Sequence, residues 1–103
     1  MTNLLDFCNQ YGPYELPYKP VITLTKKSSR TGETQGHAVV LDKYVDDENF
    51  LTLMTIDSLS KTGETVITCP ILKMTNGQQK LIIGGEVDQW CLGSENCYVF
   101  YFN

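Results

Sequence analysis

The sequence predicts an α+β fold that is mainly antiparallel β: a short N-terminal helix on a strongly curved sheet, or partly open barrel, of about six strands. Beyond residue 20, short runs rich in β-branched and aromatic residues alternate with turn residues, as in antiparallel strands. The 103 residues, 42% of them hydrophobic and 19% charged, suit one globular domain. We therefore expect a single domain over 1–103, with a helix in 1–12, a connector in 13–20 and β structure in 21–103.

The first eleven residues carry the signals of a short helix. Thr2 or Asn3 can cap its N-terminus, and Asp6 places a negative charge in its first turn. Gly12 and Pro13 end the helix, because proline cannot donate to the helical hydrogen-bond ladder. Residues 13–20 contain three prolines. This composition predicts an extended connector that runs over the surface.

The remaining chain divides into six candidate strands joined by short turns. Asn76 and Gly77 form the strongest two-residue hairpin signal. One six-residue pattern occurs twice, at 29–34 and 60–65, and each copy lies between two candidate strands. The copies are either two similar recognition loops or the same favourable turn chemistry used twice. The candidate strands cover 21–25, 36–45, 50–57, 64–74, 80–84 and 97–102.

The charge and hydropathy of the chain argue against two classes of partner. Its formal net charge is −4, whereas proteins that bind nucleic acid use lysine and arginine to neutralise phosphates. No apolar run approaches the roughly 20 residues that span a bilayer, so we expect no membrane association.

The cysteines predict neither a metal site nor a cofactor. Cys8, Cys69, Cys91 and Cys97 include no Cys-x-x-Cys pair, and the chain has one histidine. Buried thiols in a cytoplasmic, reducing setting are the simplest interpretation. Cys91 and Cys97 flank a short loop, however, and in an exported protein they are a candidate disulfide.

Three residues are candidates for catalysis. His37 opens an apolar strand, where an imidazole is held rigidly enough to serve as a general base. Asp57 ends the next candidate strand, and antiparallel pairing would bring it beside His37 and let it orient the ring. Cys8 precedes both and is the candidate nucleophile, since a cysteine beside an imidazolium can become a thiolate.

Residues 36–44, Gly-His-Ala-Val-Val-Leu-Asp-Lys-Tyr, resemble the strand that carries the base in papain-like cysteine peptidases. Residues 50–58 then end in Asp-Ser where that family has Asn-Ser-Trp-Gly, and 63–68 supply the following turn and strand. The resemblance covers about 20–68 and implies the C-terminal β half of that fold, with His37 and Asp57 at its base and orienting positions. The family's Gln-Gly-x-Cys-Gly-x-Cys-Trp segment is absent from the sequence.

A second resemblance is to stefin-type cystatins, which are small inhibitors of papain-like enzymes. Residues 45–50, followed by a strand and Asp-Ser-Leu at 57–59, resemble the last hairpin of that family. The inhibitory Gln-Val-Val-Ala-Gly hairpin is replaced here by Gly-Glu-Thr-Gln-Gly at 32–36, a charged loop.

These observations predict a peptide- or protein-binding β domain that resembles the β half of papain-like peptidases and is not an efficient catalyst. One alternative is a minimal thiol hydrolase that uses Cys8, His37 and Asp57. Another is a cystatin-like inhibitor or other interaction module. The partner in each case is a protein or peptide, and an uncovered edge strand also offers a route to a homodimer.

Overall fold

A computed structural model describes residues 1–12 and 16–100. Helix α1 begins at Leu4 and ends at Tyr11 (Leu4–Tyr11). Its N-cap is Asn3, whose side chain accepts a hydrogen bond from the Asp6 N–H at 3.0 Å. Pro13, at the predicted helix stop, lies outside the described residues. Of the described helices, none is long and apolar enough to cross a membrane.

The described residues form eight strands: β1 (Thr2–Asn3), β2 (Val21–Lys27), β3 (Thr34–Asp46), β4 (Phe50–Ile56), β5 (Glu64–Lys73), β6 (Gln79–Leu81), β7 (Cys91–Leu92) and β8 (Asn96–Cys97). Six of them form the main antiparallel sheet, in the spatial order β6-β5-β4-β3-β2-β7. This arrangement confirms the predicted fold class of a short helix with a curled, half-barrel sheet. A second, two-stranded sheet pairs β1 with β8.

The last part of the chain differs from the prediction of one long strand over 97–102. Asn96–Cys97 pairs with the N-terminus, and the sixth strand of the main sheet is Cys91–Leu92 instead. Two-residue strands are too short to show the alternation from which strands are predicted. Tyr101 and Phe102, in the predicted strand, lie outside the described residues.

The turns follow the predicted chemistry. Both copies of the repeated pattern lie at hairpin connections, β2 to β3 and β4 to β5. Gly32 and Gly63 adopt positive φ angles of 73° and 81° there, which glycine allows at little cost. Gly77 does the same in the connection from β5 to β6, where the Asn76-Gly77 signal predicted a turn.

One face of the curled sheet, together with α1, encloses the hydrophobic core. Strands β4 and β5 contribute alternate residues to this inner face, as the pleat requires. Tyr44 links the helix to the sheet, because its hydroxyl donates to the Cys8 carbonyl. The most deeply buried side chains include Leu4, Phe7, Cys8, Ile22, Leu24, Leu41, Leu51, Leu53, Leu92 and Cys97.

The curl brings β5 and β7 towards each other, although they are not neighbours in the sheet. A bulge between Leu41 and Lys43 interrupts the register of β3 with β4. Bulges increase local twist and bend the strand that contains them, which favours this curvature. The half-barrel therefore has an opening between β5 on one side and the chain leading into β7 on the other.

Candidate functional site

His37 and Asp57 lie together at one end of the inner face. Strands β3 and β4 pair so that Val40 faces Ile56, which makes His37 and Asp57 diagonal neighbours on the same face. The His37 Nε2 atom lies 2.7 Å from Asp57 Oδ1. The two side chains are 14% and 6% exposed. The proximity predicted from antiparallel pairing is therefore present.

Asp57 has two further hydrogen-bond donors. The Thr65 hydroxyl donates to Oδ2 at 2.7 Å, and the Leu59 N–H donates to Oδ1 at 2.9 Å. These bonds favour the charged carboxylate and lower the pKa of Asp57 from 3.8 to about 2, the Thr65 hydroxyl contributing most and the His37 bond next. We refer to His37, Asp57 and Thr65 as the polar cluster.

An ionised carboxylate only accepts hydrogen bonds, so the Nε2 atom of His37 must carry the hydrogen that it shares with Asp57. In the neutral ring, Nδ1 is then an acceptor, which is the arrangement of an oriented general base. Among the described residues, no hydroxyl or thiol is hydrogen-bonded to this nitrogen. The polar cluster thus has an imidazole oriented by a carboxylate, and within the described part of the chain its one hydroxyl, that of Thr65, is bonded to Asp57 and not to His37.

Cys8 lies elsewhere. Its carbonyl accepts from Tyr44, which lies seven positions after His37 along β3, a separation of about 23 Å in an extended strand. Burial raises the pKa of the Cys8 thiol to about 12, with Cys97 and Asp46 adding to the rise. The structure brings His37 and Asp57 together and does not bring Cys8 to them.

Trp90 covers the imidazole of His37, with the two ring centroids 5.5 Å apart and the planes tilted by 49°. The ammonium of Lys26 lies 5.7 Å from the centre of the indole, a cation–π distance. Trp90 and Thr65 were not among the sequence-predicted site residues. No local sequence signal connects Thr65 to Asp57, and nothing local connects residue 90 to residue 37.

The opening of the half-barrel is a groove of about 590 Å³ beside Trp90. Ligand pockets commonly have volumes of about 300 to 1,000 Å³. One wall is the edge of β5 over residues 66–70, and the other is formed by 84–86 and 89–92. We call this opening the edge groove. The residues that line it are Phe50, Val66, Ile67, Thr68, Cys69, Pro70, Ile82, Gly84, Gly85, Glu86, Gln89, Trp90, Cys91 and Leu92.

The surface of the edge groove is a mixture of apolar and polar groups and is partly exposed. Val66 is 61% exposed and Phe50 is 44% exposed, and Pro70 is the register partner of Phe50 in the pairing of β4 with β5. Glu86 is the one charged side chain among the described residues that line it. The groove therefore offers apolar side chains beside polar backbone and side-chain groups, with a single negative charge.

The described residues include no group of three histidine, cysteine or acidic side chains placed to hold a metal ion. All four cysteines are free thiols, Cys91 and Cys97 included. No protein-family model matches the chain, and no curated protein or solved structure matches it either. The site must therefore be interpreted from its own chemistry.

Proposed function

We propose that this protein is a peptide-binding domain, which takes a short segment of a partner protein into the edge groove. The observation that carries the proposal is the open groove of about 590 Å³ between β5 and residues 84–92. Its rim exposes apolar side chains, Val66 above all, and exposed apolar surface beside a cleft is characteristic of binding sites.

The polar cluster supports the same proposal because it connects the strands and side chains that form the two walls of the edge groove. Asp57 joins β3 to β5 through His37 and Thr65, so it holds the strand that forms one wall of the groove. His37 in turn packs against Trp90 of the other wall. The cluster thereby fixes both walls, and a rigid groove lowers the entropic cost of binding.

The pairing of His37 with Asp57 also fits the proposed kinship with the β half of papain-like peptidases. A hydrolase that uses Cys8 is not part of the proposal, because a buried thiol with a pKa of about 12 is almost entirely protonated near neutral pH. We place the domain in a reducing, cytoplasmic setting, where four free thiols are stable.

A selection from a random heptapeptide library on the immobilised protein tests the proposal. Affinities of the selected peptides can be measured through the fluorescence of Trp90, which lines the groove and is the only tryptophan. We expect Val66→Lys, which replaces an apolar side chain of the groove rim by a positive charge, to weaken binding at least tenfold.

The matched control is Leu59→Lys, because Leu59 is also apolar and is 77% exposed but does not line the groove. This variant should bind within about twofold of wild type, since surface changes away from a site have small effects. Equal losses in both variants, or a selection that yields no binder, would show that the edge groove is not a peptide site.

A further inference from the structure

The hydrogen-bonding state of β5 shows how a peptide would be held in the edge groove. In an antiparallel ladder, residues that exchange hydrogen bonds with the neighbouring strand alternate with residues whose polar groups point to the opposite side. The Asp57 N–H donates to the Gly63 carbonyl at 2.8 Å, and the Ile71 N–H donates to the Asn49 carbonyl at 2.9 Å. Both contacts belong to one continuous register of β4 with β5.

This register assigns a direction to every backbone group between those contacts. Thr65, Ile67 and Cys69 direct their N–H and C=O groups to β4. Val66 and Thr68 therefore direct theirs to the other side of β5, into the edge groove. Pro70 follows the same alternation, because its carbonyl accepts from Ile82 on that side at 3.0 Å.

Only the middle of this edge is unpaired. Strand β6 pairs with β5 over Ile71–Lys73, and the Glu64 carbonyl accepts from the Ser60 hydroxyl at 2.7 Å. Within the described part of the chain, no second strand pairs with Val66 or Thr68. Two donors and two acceptors thus remain in a stretch that one short strand can fill.

On the opposite wall of the groove, the backbone carbonyl that could bind a ligand already accepts a hydrogen bond within the protein. The Leu92 carbonyl accepts from the Gly84 N–H at 3.0 Å, so β7 does not present it to a ligand. An incoming strand would then pair with β5 alone, as a continuation of the line of β6.

We infer that the edge groove binds an extended, cationic peptide by strand addition to Val66 and Thr68. The inference rests on the proposed function and specifies its ligand. Residues of the added strand that pair with Val66 and Thr68 have their side chains on the outer face, where polar residues are tolerated. The alternate residues of the added strand have their side chains on the inner face, near Ile67, Cys69 and Leu92. These neighbours favour apolar side chains at the alternate positions of the peptide. Glu86 favours a lysine or arginine in the same segment.

The test uses a designed probe, acetyl-Lys-Val-Thr-Val-Thr-Val-Lys-amide, with the full-length protein. N-methylation of both threonine nitrogens removes the donors that would face β5, and we expect it to weaken binding at least tenfold. N-methylation of two valine nitrogens is the matched control, because those nitrogens would point away from β5. It should change the affinity less than threefold.

Amide hydrogen exchange supplies a second readout at the proposed contacts. The N–H groups of Val66 and Thr68 should exchange at least tenfold more slowly in the presence of the unmethylated probe. Protection of both amides in the free protein, together with a dimer in sedimentation, would overturn the inference because a second copy of the chain would fill the edge.

The two proposals fail in different ways. If both N-methylated probes weaken binding equally, strand addition is wrong and groove binding stands. If selected peptides that depend on Val66 bind but the designed probe does not, the inferred peptide class is wrong.

Glu86→Gln should weaken binding of the probe about two- to fivefold, as expected for an exposed charge pair. An unchanged affinity would overturn the cationic preference alone.

Discussion

Asp57 joins three parts of the fold through its two carboxylate oxygens. Oδ1 contacts His37 of β3 and the Leu59 N–H of the following turn, and Oδ2 accepts from Thr65 of β5. The position of Asp57 at the end of a strand was readable from the sequence, as was its proximity to His37. Its third partner was not, because a threonine in a strand shows nothing of which side chain its hydroxyl contacts.

The acid stability of the protein should depend on Asp57. Because folding lowers its pKa from 3.8 to about 2, the charged carboxylate stabilises the folded state above about pH 4. This contribution is lost as the pH falls towards 2. Asp57→Asn should therefore show a smaller decrease in the free energy of unfolding between pH 4 and pH 2 than wild type, as measured by urea denaturation.

Thr65→Val is the companion variant, because it removes the hydroxyl that contributes most to the lowered pKa while it retains the shape of the side chain. Its pH dependence should lie between those of wild type and Asp57→Asn. If all three proteins lose stability with the same slope, the polar cluster does not stabilise the carboxylate.

At the scale of the element, the hairpins illustrate what local chemistry can specify. The β4–β5 connection reverses at Gly63, whose N–H donates to the Ser60 carbonyl at 3.2 Å. The Thr-Gly-Glu pattern predicted a turn at this place, because glycine reaches positive φ without steric penalty. Short strands such as β7 and β8 lacked any comparable signal, since two residues do not define a period.

Gly63→Ala should destabilise the protein by about 1–2 kcal/mol, the cost of a left-handed backbone for a residue with a Cβ atom. An added Cβ would meet open space at Gly63, so a steric clash does not contribute. Gly36→Ala is the matched control, because its Cβ would also meet open space and its backbone is not left-handed. It should be neutral or stabilising by about 0.4–1 kcal/mol. Thermal or urea denaturation measures both, and equal effects would contradict the conformational explanation.

At the scale of the whole molecule, one core connects elements that are distant in sequence. Cys8 lies in α1, Cys69 in β5 and Cys97 in β8, and each is at most 2% exposed. The chain between them passes through both sheets. A single cooperative unfolding transition should therefore expose all three thiols together.

Pulse alkylation across a urea series, followed by peptide mass mapping, tests whether the three buried thiols become exposed together. Cys91 is only partly buried and should react in the native protein. Cys8 should be the most resistant thiol without urea, since a pKa of about 12 instead of 9.0 lowers its thiolate fraction about a thousandfold. The three buried thiols should then become reactive at the same urea concentration. Reaction of Cys97 at a clearly lower concentration than Cys69 would show that the β1–β8 sheet unfolds separately.

The sequence by itself determined the local conformations of this protein and the way its strands expose or bury their residues. The helix cap at Asn3, the turns at Gly63 and Gly77, and the long strands follow from side-chain chemistry within a few residues. The contact of His37 with Asp57 also followed, because two strands joined by a short turn pair with each other.

Only the tertiary structure decided what surrounds that pair. Trp90 meets His37 across 53 residues of sequence, Cys8 lies far from both, and the unpaired edge at Val66 and Thr68 depends on where β6 ends. Each of these is set by the curl of the whole sheet, a sum of small twists over six strands. Hydrophobic periodicity specifies the face on which a side chain lies, but it does not specify which distant segment the curl brings against it.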